Sequence, residues 1–240
     1  MEFQRARNEA QRDQRRNTIL TTAAAMLKEM PVADVSLNEL SRRVGLAKSN
    51  VRRYFESREA VLLELLNDEV ERWIADVDLA IVDIDTSRPA INRANTFAAT
   101  LALTLDSLPI LCDLISAQAS VLERNVSAEV ILSHRRAFNA RVQRLSGLLL
   151  HSLPELRTAD VSHIISSTFL MVAGAWPHGQ PSKEVLAAYQ ADPAIGATSI
   201  EFISFLQDSI ALTIIGLLTR STMERHYPSP SLQKTARLLL

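Results

Sequence analysis

The sequence predicts an all-α protein, with a small three-helix unit at the N-terminus followed by a larger helical body. Apolar residues recur at helical spacing along most of the 240 residues, so successive segments each present one apolar face. The chain has only 6 glycines and 9 prolines, and its β-branched residues alternate with polar ones over no long stretch. This composition disfavours strands and puts the helix ends at a few identifiable breaks.

The helix boundaries follow from these breaks. Residues 1 to about 12 are polar and are expected to form a mobile arm, and Pro31 ends a first helix over 18–30. Further helices are predicted over 36–44, 47–55, 57–82, 90–107, 110–122, 127–152, 158–176 and 199–222. The proline- and glycine-rich segment 177–198 is expected to be mostly loop, with room for a short helix around 182–189, and a tail follows Pro228. We divide the chain into a head, residues 1–56, and a body, residues 57–240.

The most specific pattern is SLNELSRRVGLAKSNVRRYFESRE at residues 36–59. Ser36 can N-cap a helix, and Glu39 stands three residues later, which is the spacing of a capping box. Gly45 falls where a helix end needs a positive φ, and Ser57 can N-cap the next helix. Two helices joined by a tight glycine turn, the second of them basic, are typical of a helix-turn-helix that lays its second helix in the DNA major groove.

The second helix of this hairpin has two faces. Val51, Tyr54 and Phe55 can turn inward, while polar and cationic residues turn outward, where asparagine can read adenine and arginine can read guanine or bind phosphate. A basic helix that is only solvated is the alternative interpretation. The candidates for DNA contact are Leu37 and Asn38 at the start of the first helix, Lys48, Ser49, Asn50, Arg52 and Arg53 on the outward face, and Tyr54 through its hydroxyl.

The charge distribution favours the same interpretation. The net charge of −1 combines +4 in residues 1–60, from 12 basic and 8 acidic residues, with −5 in residues 61–240. A cationic head on an acidic body suits a protein that binds DNA at one end. The single Cys112 cannot form an internal disulfide, and the N-terminus lacks an apolar signal segment. The apolar stretch 202–218 is interrupted by Gln207 and Asp208, so we expect a cytoplasmic protein with no membrane partner.

Residues 16–66 resemble the DNA-binding domain of the tetracycline-repressor (TetR) family of bacterial transcription regulators. The matching pieces are IL-x-x-AAAML at 19–27, SLNELSRRVGLAKSNVRRYF at 36–55 and ESREAVLLELL at 56–66, about the first quarter of the chain. The resemblance implies that Arg58, commonly a lysine in the family, touches a DNA phosphate. The chain departs from the family at Arg52, where an aromatic is usual, and at Ala47, where a serine or threonine N-cap is usual.

The resemblance also implies that the body binds a small-molecule effector and forms a homodimer. The helices at 158–176 and 199–222 would pair two protomers, which would place the two recognition helices about one turn of DNA apart. The effector pocket would lie between the helices at 57–82, 90–122, 127–152 and 158–176, although pockets and ordinary cores share the same apolar residues. The expected lining is Trp73, Phe97, Leu101, Leu105, Phe138, Phe169 and Trp176, with Gln118, His134 and Arg141 as polar anchors.

The function favoured by the sequence is a ligand-responsive transcription regulator, a repressor that a small, largely apolar effector releases from operator DNA. One alternative is a helical small-molecule sensor whose DNA-binding head has lost its operator, and another is an all-helical enzyme. The histidines show no metal-ligand spacing, and neither a nucleophile–base set nor a glycine-rich phosphate loop is visible. We therefore expect no metal, no cofactor and no catalytic residue.

Overall fold

The structure, a computed structural model, describes residues 2–82, 84–197 and 199–226, with side chains described from residue 10 to residue 220. The tail expected after Pro228 lies outside these residues. Within them every regular element is helical, which confirms the predicted all-α class. The division into 1–56 and 57–240 stays a prediction.

Three helices form the head and eight form the body. A short 3-10 turn, Val32–Asp34, precedes the second helix, and a π turn, Gln118–Leu122, extends the sixth. The helices are α1 Glu2–Leu27, α2 Leu37–Val44, α3 Lys48–Val51, α4 Arg58–Ile81, α5 Ala90–Asp106, α6 Pro109–Ala117, α7 Ala128–Ser152, α8 Thr158–His178, α9 Lys183–Ala191, α10 Pro193–Gly196 and α11 Phe202–His226.

The N-terminal segment differs from the prediction, because α1 begins at Glu2 and the expected mobile arm is helical. Residues 2–17 contain neither glycine nor proline and are rich in glutamate, glutamine, arginine and alanine. These are good helix formers, so nothing in the segment ends the helix that the core of the head requires further along. Residues 10–15 of α1 are exposed, so the polar sequence that suggested an arm is there that of a solvent-exposed helix.

The segment 177–198 is also more helical than predicted. Pro177 lies in the last turn of α8, and two further helices follow, so the expectation of a mostly unstructured loop is wrong. Ser182 N-caps α9 by accepting from the Val185 amide at 3.3 Å, and Asp192 caps α10 by accepting from the Ala194 amide at 3.0 Å. Neither helix contributes a buried residue.

The long helix α4 is shared by the head and the body. It packs against α1 of the head and against α5, α6 and α7 of the body. Buried residues run along it from Glu59 to Ile81, and Trp73 is fully enclosed. The rest of the body is built around α11, which packs on α5 and α8, while α6 packs on α8. The head and the body therefore have one continuous core.

Helix α11 runs without a break through Gln207 and Asp208, in agreement with the helix predicted over 199–222. By length and composition its segment Phe202–Arg220 could cross a membrane, and 33% of that apolar window is buried. Taken together, α5 and α6 with the π turn are also long and apolar enough to cross a membrane, but the two segments are bent by 90° relative to each other. A helix in the core of a protein can be equally long and apolar, and α11 packs on two neighbouring helices, as a core helix does.

Candidate functional site

Local capping determines the geometry of the α2–α3 hairpin. The Ser36 hydroxyl accepts from the Glu39 amide at 3.1 Å, and Gly45 ends α2 with a φ of 72°. The expected return bond from the Glu39 carboxylate to residue 36 is replaced by bonds to Arg42 and Arg43 on the same helix. These bonds, from Arg42 first and then Arg43, lower the pKa of Glu39 to about 2. The basic side chains of α2 are thus held within the head.

The face predicted to bind DNA is exposed. Val51 and Phe55 are buried, and Tyr54 is half-buried, which confirms the inward face. Helix α3 ends at Val51 and continues as a turn, and Ala47 at its start supplies no side-chain cap, as expected for alanine. The outward side chains make no hydrogen bond or ion pair with any described residue, so all are free to bind a partner; they are Lys48, Ser49, Asn50, Arg52 and Arg53.

The other DNA candidates are placed less directly. Leu37 is buried, so it can offer a phosphate only its backbone, whereas Asn38 is exposed. Arg58 donates from Nη1 to the carbonyls of Ala33 at 2.9 Å and Val35 at 2.7 Å, and its Nε lies 2.8 Å from Glu59. The structure therefore gives Arg58 the task of fixing the loop before α2 against α4. Its contact with phosphate stays a prediction.

Arg16 is the residue that sequence reasoning missed. Its Nη1 donates to the Tyr54 carbonyl at 2.8 Å, its Nη2 pairs with Glu64, and its guanidinium lies 4.4 Å from the Phe55 ring centroid. One side chain thus joins α1 to Tyr54 and Phe55, at the end of the recognition segment (residues 47–55), and to Glu64 of α4. The run of arginines around it gave no signal, because these contacts are made with residues 38 to 48 positions away.

Several of the predicted effector residues do meet in the body. Trp73 of α4 and Phe169 of α8 lie edge to face with ring centroids 5.8 Å apart, and Phe169 is 5.0 Å from Phe138 of α7. We call Trp73, Phe138 and Phe169 the aromatic cluster. His134 lies 5.9 Å from Phe138 on the same helix. The sequence-predicted lining is therefore assembled from three separate helices.

Polar groups flank the aromatic cluster at the α4–α7 contact. Gln118 Nε2 donates to Glu123 at 2.8 Å and lies 3.2 Å from His134 Nε2, so that ring nitrogen is the acceptor and Nδ1 carries the proton in the neutral ring. Nδ1 makes no hydrogen bond of normal geometry, and neither does the buried Oδ1 of Asn67 on α4. Arg141, two turns further along α7, lies 3.2 Å from Glu71.

The environment of His134 keeps its ring neutral. Only 3% of the residue is exposed. Burial first, and then the charge of Arg135, lower the pKa of His134, while Glu123 and the Leu63 carbonyl act in the opposite direction. The contact between α4 and α7 thus leaves hydrogen-bonding capacity unused at two buried groups, Asn67 and His134, which is unusual for buried polar atoms.

The remaining predicted effector residues are packed elsewhere. Phe97, Leu101 and Leu105 of α5 are at most 2% exposed. Trp176 donates to Asp113 at 2.7 Å and lies edge to face with Phe202 of α11 at 5.0 Å. In this conformation the four residues form ordinary core, and their contact with an effector stays a prediction.

The clefts of the structure lie nearer the head than predicted. One of about 1060 Å³ separates α1, α4 and the α5–α6 turn, and one of about 280 Å³ lies between Tyr54, Asn67 and His134. His134 is thus the predicted effector residue that lines the smaller of these two clefts. A third cleft, of about 900 Å³, is lined by Gln11, Arg12, Gln14, Arg15, Thr18, Arg53 and Tyr54.

The predicted dimer helices each expose a stripe of apolar and small residues. Leu170 on α8 is 74% exposed, with Ser166 and Gly174 one turn before and after it. Leu212 on α11 is 70% exposed, with Gly216 one turn later. Residues 221 and 222, at the end of the predicted interface, have no described side chains. Across the described residues, no group of three or more His, Cys, Asp or Glu could hold a metal ion.

Comparison with known families matches nearly the whole described chain. Residues 19–65 match the family model described as bacterial regulatory proteins, tetR family. Residues 67–221 match the model described as tetracyclin repressor-like, C-terminal domain.

Curated relatives match about a third of the chain. The chain is 34% identical over 83 residues to the HTH-type transcriptional regulator EthR of Mycobacterium tuberculosis, which is 35% of this chain and 37% of that protein. It is 33% identical over 69 residues to EthR of Mycolicibacterium smegmatis, covering 29% of this chain and 32% of the relative. The match thus spans little more than a third of the length of these relatives. Both relatives are named as transcription regulators, which gives no support to the enzyme alternative.

Solved structures share the whole fold at low sequence identity. A TetR transcriptional regulator from Rhodococcus sp. RHA1 has a TM-score of 0.53 and 14% identity, over 86% of this chain and 97% of that chain. The fatty acid degradation regulator FadR from Bacillus halodurans has a TM-score of 0.52 and 14% identity, over 85% of this chain and 96% of that chain. At this identity the likeness concerns the fold alone.

Proposed function

Because the chain belongs to the TetR family of bacterial regulatory proteins, we propose that it is a ligand-responsive, DNA-binding transcription regulator. In this proposal it represses transcription from an operator until a small, largely apolar effector releases it. The observation that carries the proposal is the exposed polar and cationic face of α3 on a capped hairpin. A regulator of this kind acts in the cytoplasm, on the bacterial chromosome.

The argument for DNA binding depends on unused hydrogen-bonding capacity. Lys48, Arg52 and Arg53 are exposed and have no partner among the described residues, whereas Arg42 is paired with Glu39 and Arg43 with both Glu39 and Glu29. Three free cations on one short helix and turn are the kind of side chain that binds phosphates and guanine edges in a major groove. The structure thus supports the outward face as the DNA contact rather than the basic residues of α2.

The test is a mobility shift on the DNA upstream of the protein's own gene. Replacing Lys48, Arg52 and Arg53 together by alanine should weaken binding and reduce the salt slope by about 0.9 for each phosphate that is no longer neutralised. The matched control replaces Arg88, Arg124 and Arg136, three exposed arginines of the body, and removes the same charge. If the two variants bind alike, this face does not read DNA. If the wild-type protein binds no DNA either, the sensor alternative is favoured.

We propose a homodimer through α8 and α11. The exposed apolar stripes on both helices support it, because a stable pairing would cover Leu170 and Leu212 and the small residues beside them allow close helix approach. This also accounts for the apolar character of α11 without a membrane. Leu212→Glu should therefore give monomers in sedimentation at micromolar concentration, while the control Leu79→Glu, on an equally exposed leucine of α4, should stay dimeric. Dimers in both variants would place the interface elsewhere.

We propose that the effector enters the α4–α7–α8 contact at the aromatic cluster. The buried Oδ1 of Asn67, which has no hydrogen-bond partner, and the poorly satisfied Nδ1 of His134 support this position, since a ligand group could bind both. The sequence has 2 tryptophans, so Trp176→Phe leaves Trp73 as the only tryptophan reporter. Any compound that releases DNA should then change the Trp73 emission. Release of DNA with unchanged emission would place the effector elsewhere.

A further inference from the structure

The cleft of about 900 Å³ between α1 and the end of the recognition segment is the least explained feature of the head. Its walls bring Arg12 and Arg15 of α1 opposite Arg53, the last cation of the outward face, and Tyr54. The sequence identified Arg53 as a DNA contact but assigned nothing to α1. The cleft therefore joins the predicted DNA surface to a helix that lies outside the helix-turn-helix.

The cleft has the charge of an anion site. Arg12, Arg15 and Arg53 are exposed, and none has a hydrogen bond or ion pair with any described residue. None of the residues that line the cleft is acidic. Asp13, the acid beside Arg12, lies in the wall of a neighbouring cleft, which shares Gln14 and Thr18 with this one. Three like charges held together in this way repel one another, and an anion between them would remove that repulsion.

Contacts at the base of the cleft hold α1 and the Arg53–Tyr54 segment, its two walls, at a set distance from each other. Arg16 follows Arg15 directly, and it binds the carbonyl of Tyr54 at 2.8 Å and pairs with Glu64. Tyr54 in turn follows Arg53. The two cationic walls are therefore anchored to each other at their base, which sets the backbone positions of Arg15 and Arg53 relative to each other.

We propose that this cleft binds a phosphate of the operator backbone, beside the groove that α3 reads. The inference depends on the proposed function and adds α1 to the DNA-binding surface. A duplex is favoured over a small free anion for two reasons. Arg53 belongs to both the cleft and the outward face of α3, so DNA on that face passes the cleft mouth. Beyond Thr18, α1 also continues as a helix to Glu2, 16 residues or about 24 Å, which is long enough to follow a DNA backbone.

The test uses the double variant Arg12→Gln/Arg15→Gln in the full-length protein. Glutamine keeps the helix propensity and removes the charge. The control, Arg124→Gln/Arg136→Gln, removes two exposed body arginines and changes the net charge equally. Binding is measured by fluorescence anisotropy on the protein's own upstream DNA and on a mixed-sequence duplex of the same length. Equal melting temperatures of the two variants exclude a folding defect.

The expected result is a shallower salt dependence. Losing one phosphate contact in each cleft, and so two in each bound dimer, should lower the salt slope by about 1.8 and make the fall in affinity between about 50 and 200 mM salt roughly tenfold smaller than in wild type. Because the binding is to phosphate, the effect should be equal on both duplexes. The control should keep the wild-type slope. A salt slope that the Arg12→Gln/Arg15→Gln change leaves at the control value would overturn the inference.

Two further outcomes separate this inference from the proposed function. If the Arg12→Gln/Arg15→Gln change leaves the salt slope of DNA binding unchanged while the variant at Lys48, Arg52 and Arg53 loses binding, the protein is a DNA-binding regulator. The cleft is then not part of its DNA-binding surface. If millimolar inorganic pyrophosphate stabilises wild type but not the Arg12→Gln/Arg15→Gln variant, and the DNA slope is unchanged, the cleft binds a free anion and the duplex is the wrong ligand. If wild type binds neither duplex, both the inference and the proposed function fail.

Discussion

Replacement of Arg16 by methionine would test how the head is joined to α4. Methionine keeps an unbranched stem but removes the bond to the Tyr54 carbonyl, the pair with Glu64 and the contact over the Phe55 ring. A hydrogen bond from a charged group contributes about 1.5–3 kcal/mol and a cation–π contact about 0.5–1 kcal/mol. The ion pair adds little, because its side chains are 27% and 33% exposed. We expect Arg16→Met to lower the free energy of unfolding by about 2–3 kcal/mol.

The destabilisation should depend on pH. Burial raises the pKa of Glu64, and Arg16 opposes that shift. Without Arg16 the folded-state pKa of Glu64 rises further above its unfolded value, so the folded variant holds the proton more tightly than the unfolded chain. The stability of the variant then falls as pH rises from the unfolded pKa of Glu64 through its folded pKa. The difference in unfolding free energy between wild type and variant is therefore larger near pH 7 than near pH 4.

Urea unfolding at fixed protein concentration, near pH 4 and near pH 7, measures both effects. Addition of Glu64→Gln to the variant should restore part of the stability at neutral pH. It should also remove the pH dependence of the stability difference from wild type. The matched control is Arg15→Met, since the neighbouring arginine is exposed and has no partner among the described residues. It should stay within about 0.5 kcal/mol of wild type. A deficit for Arg16→Met below about 1 kcal/mol, or one that is equal at both pH values, would refute the reasoning.

Two further predictions concern other parts of the chain. Gly45→Ala should destabilise by about 1 kcal/mol in urea unfolding, because its φ of 72° strains an alanine although nothing lies within 4 Å of the new Cβ, whereas Gly147→Ala within α7 should be neutral or stabilising. Asp160 is paired first with Arg157 and then with Arg220 of α11, which lowers its pKa to about 2. This stabilisation is present above the unfolded pKa and is lost as pH falls through the folded pKa, so Asp160→Asn should lower the melting temperature at neutral pH and lose less on acidification than wild type. An equal acid response in both proteins would contradict the ion-pair explanation.

The sequence predicted what local chemistry decides. Ser36, Gly45 and Ser57 cap or end helices through neighbours a few residues away, and the structure places all three as expected. The faces of the recognition segment followed from helical spacing for the same reason. Arg16 and Arg58 could not be assigned in this way, because their partners are distant in sequence.

The effector region illustrates the same limit in the body. The resemblance implied Trp73, Phe138 and Phe169 as pocket lining, and the structure brings the three together. The resemblance could not separate these residues from Phe97 and Leu101, which are equally apolar but lie in closed packing on α5. Whether an apolar residue lines a pocket depends on how closely neighbouring helices approach, which spacing along one helix does not record.

Because α4 is one continuous helix, a small rotation about one of its ends moves the other end by several ångströms. Its 24 residues span about 36 Å, with buried contacts to the head at one end and to α5, α6 and α7 along the rest. A rotation of about 5° around the far end displaces the near end by roughly 3 Å, close to the 3.4 Å rise between successive nucleotides of a DNA strand. A change in the body that is too small to alter any helix boundary is therefore enough to move α3 by about one base-pair step.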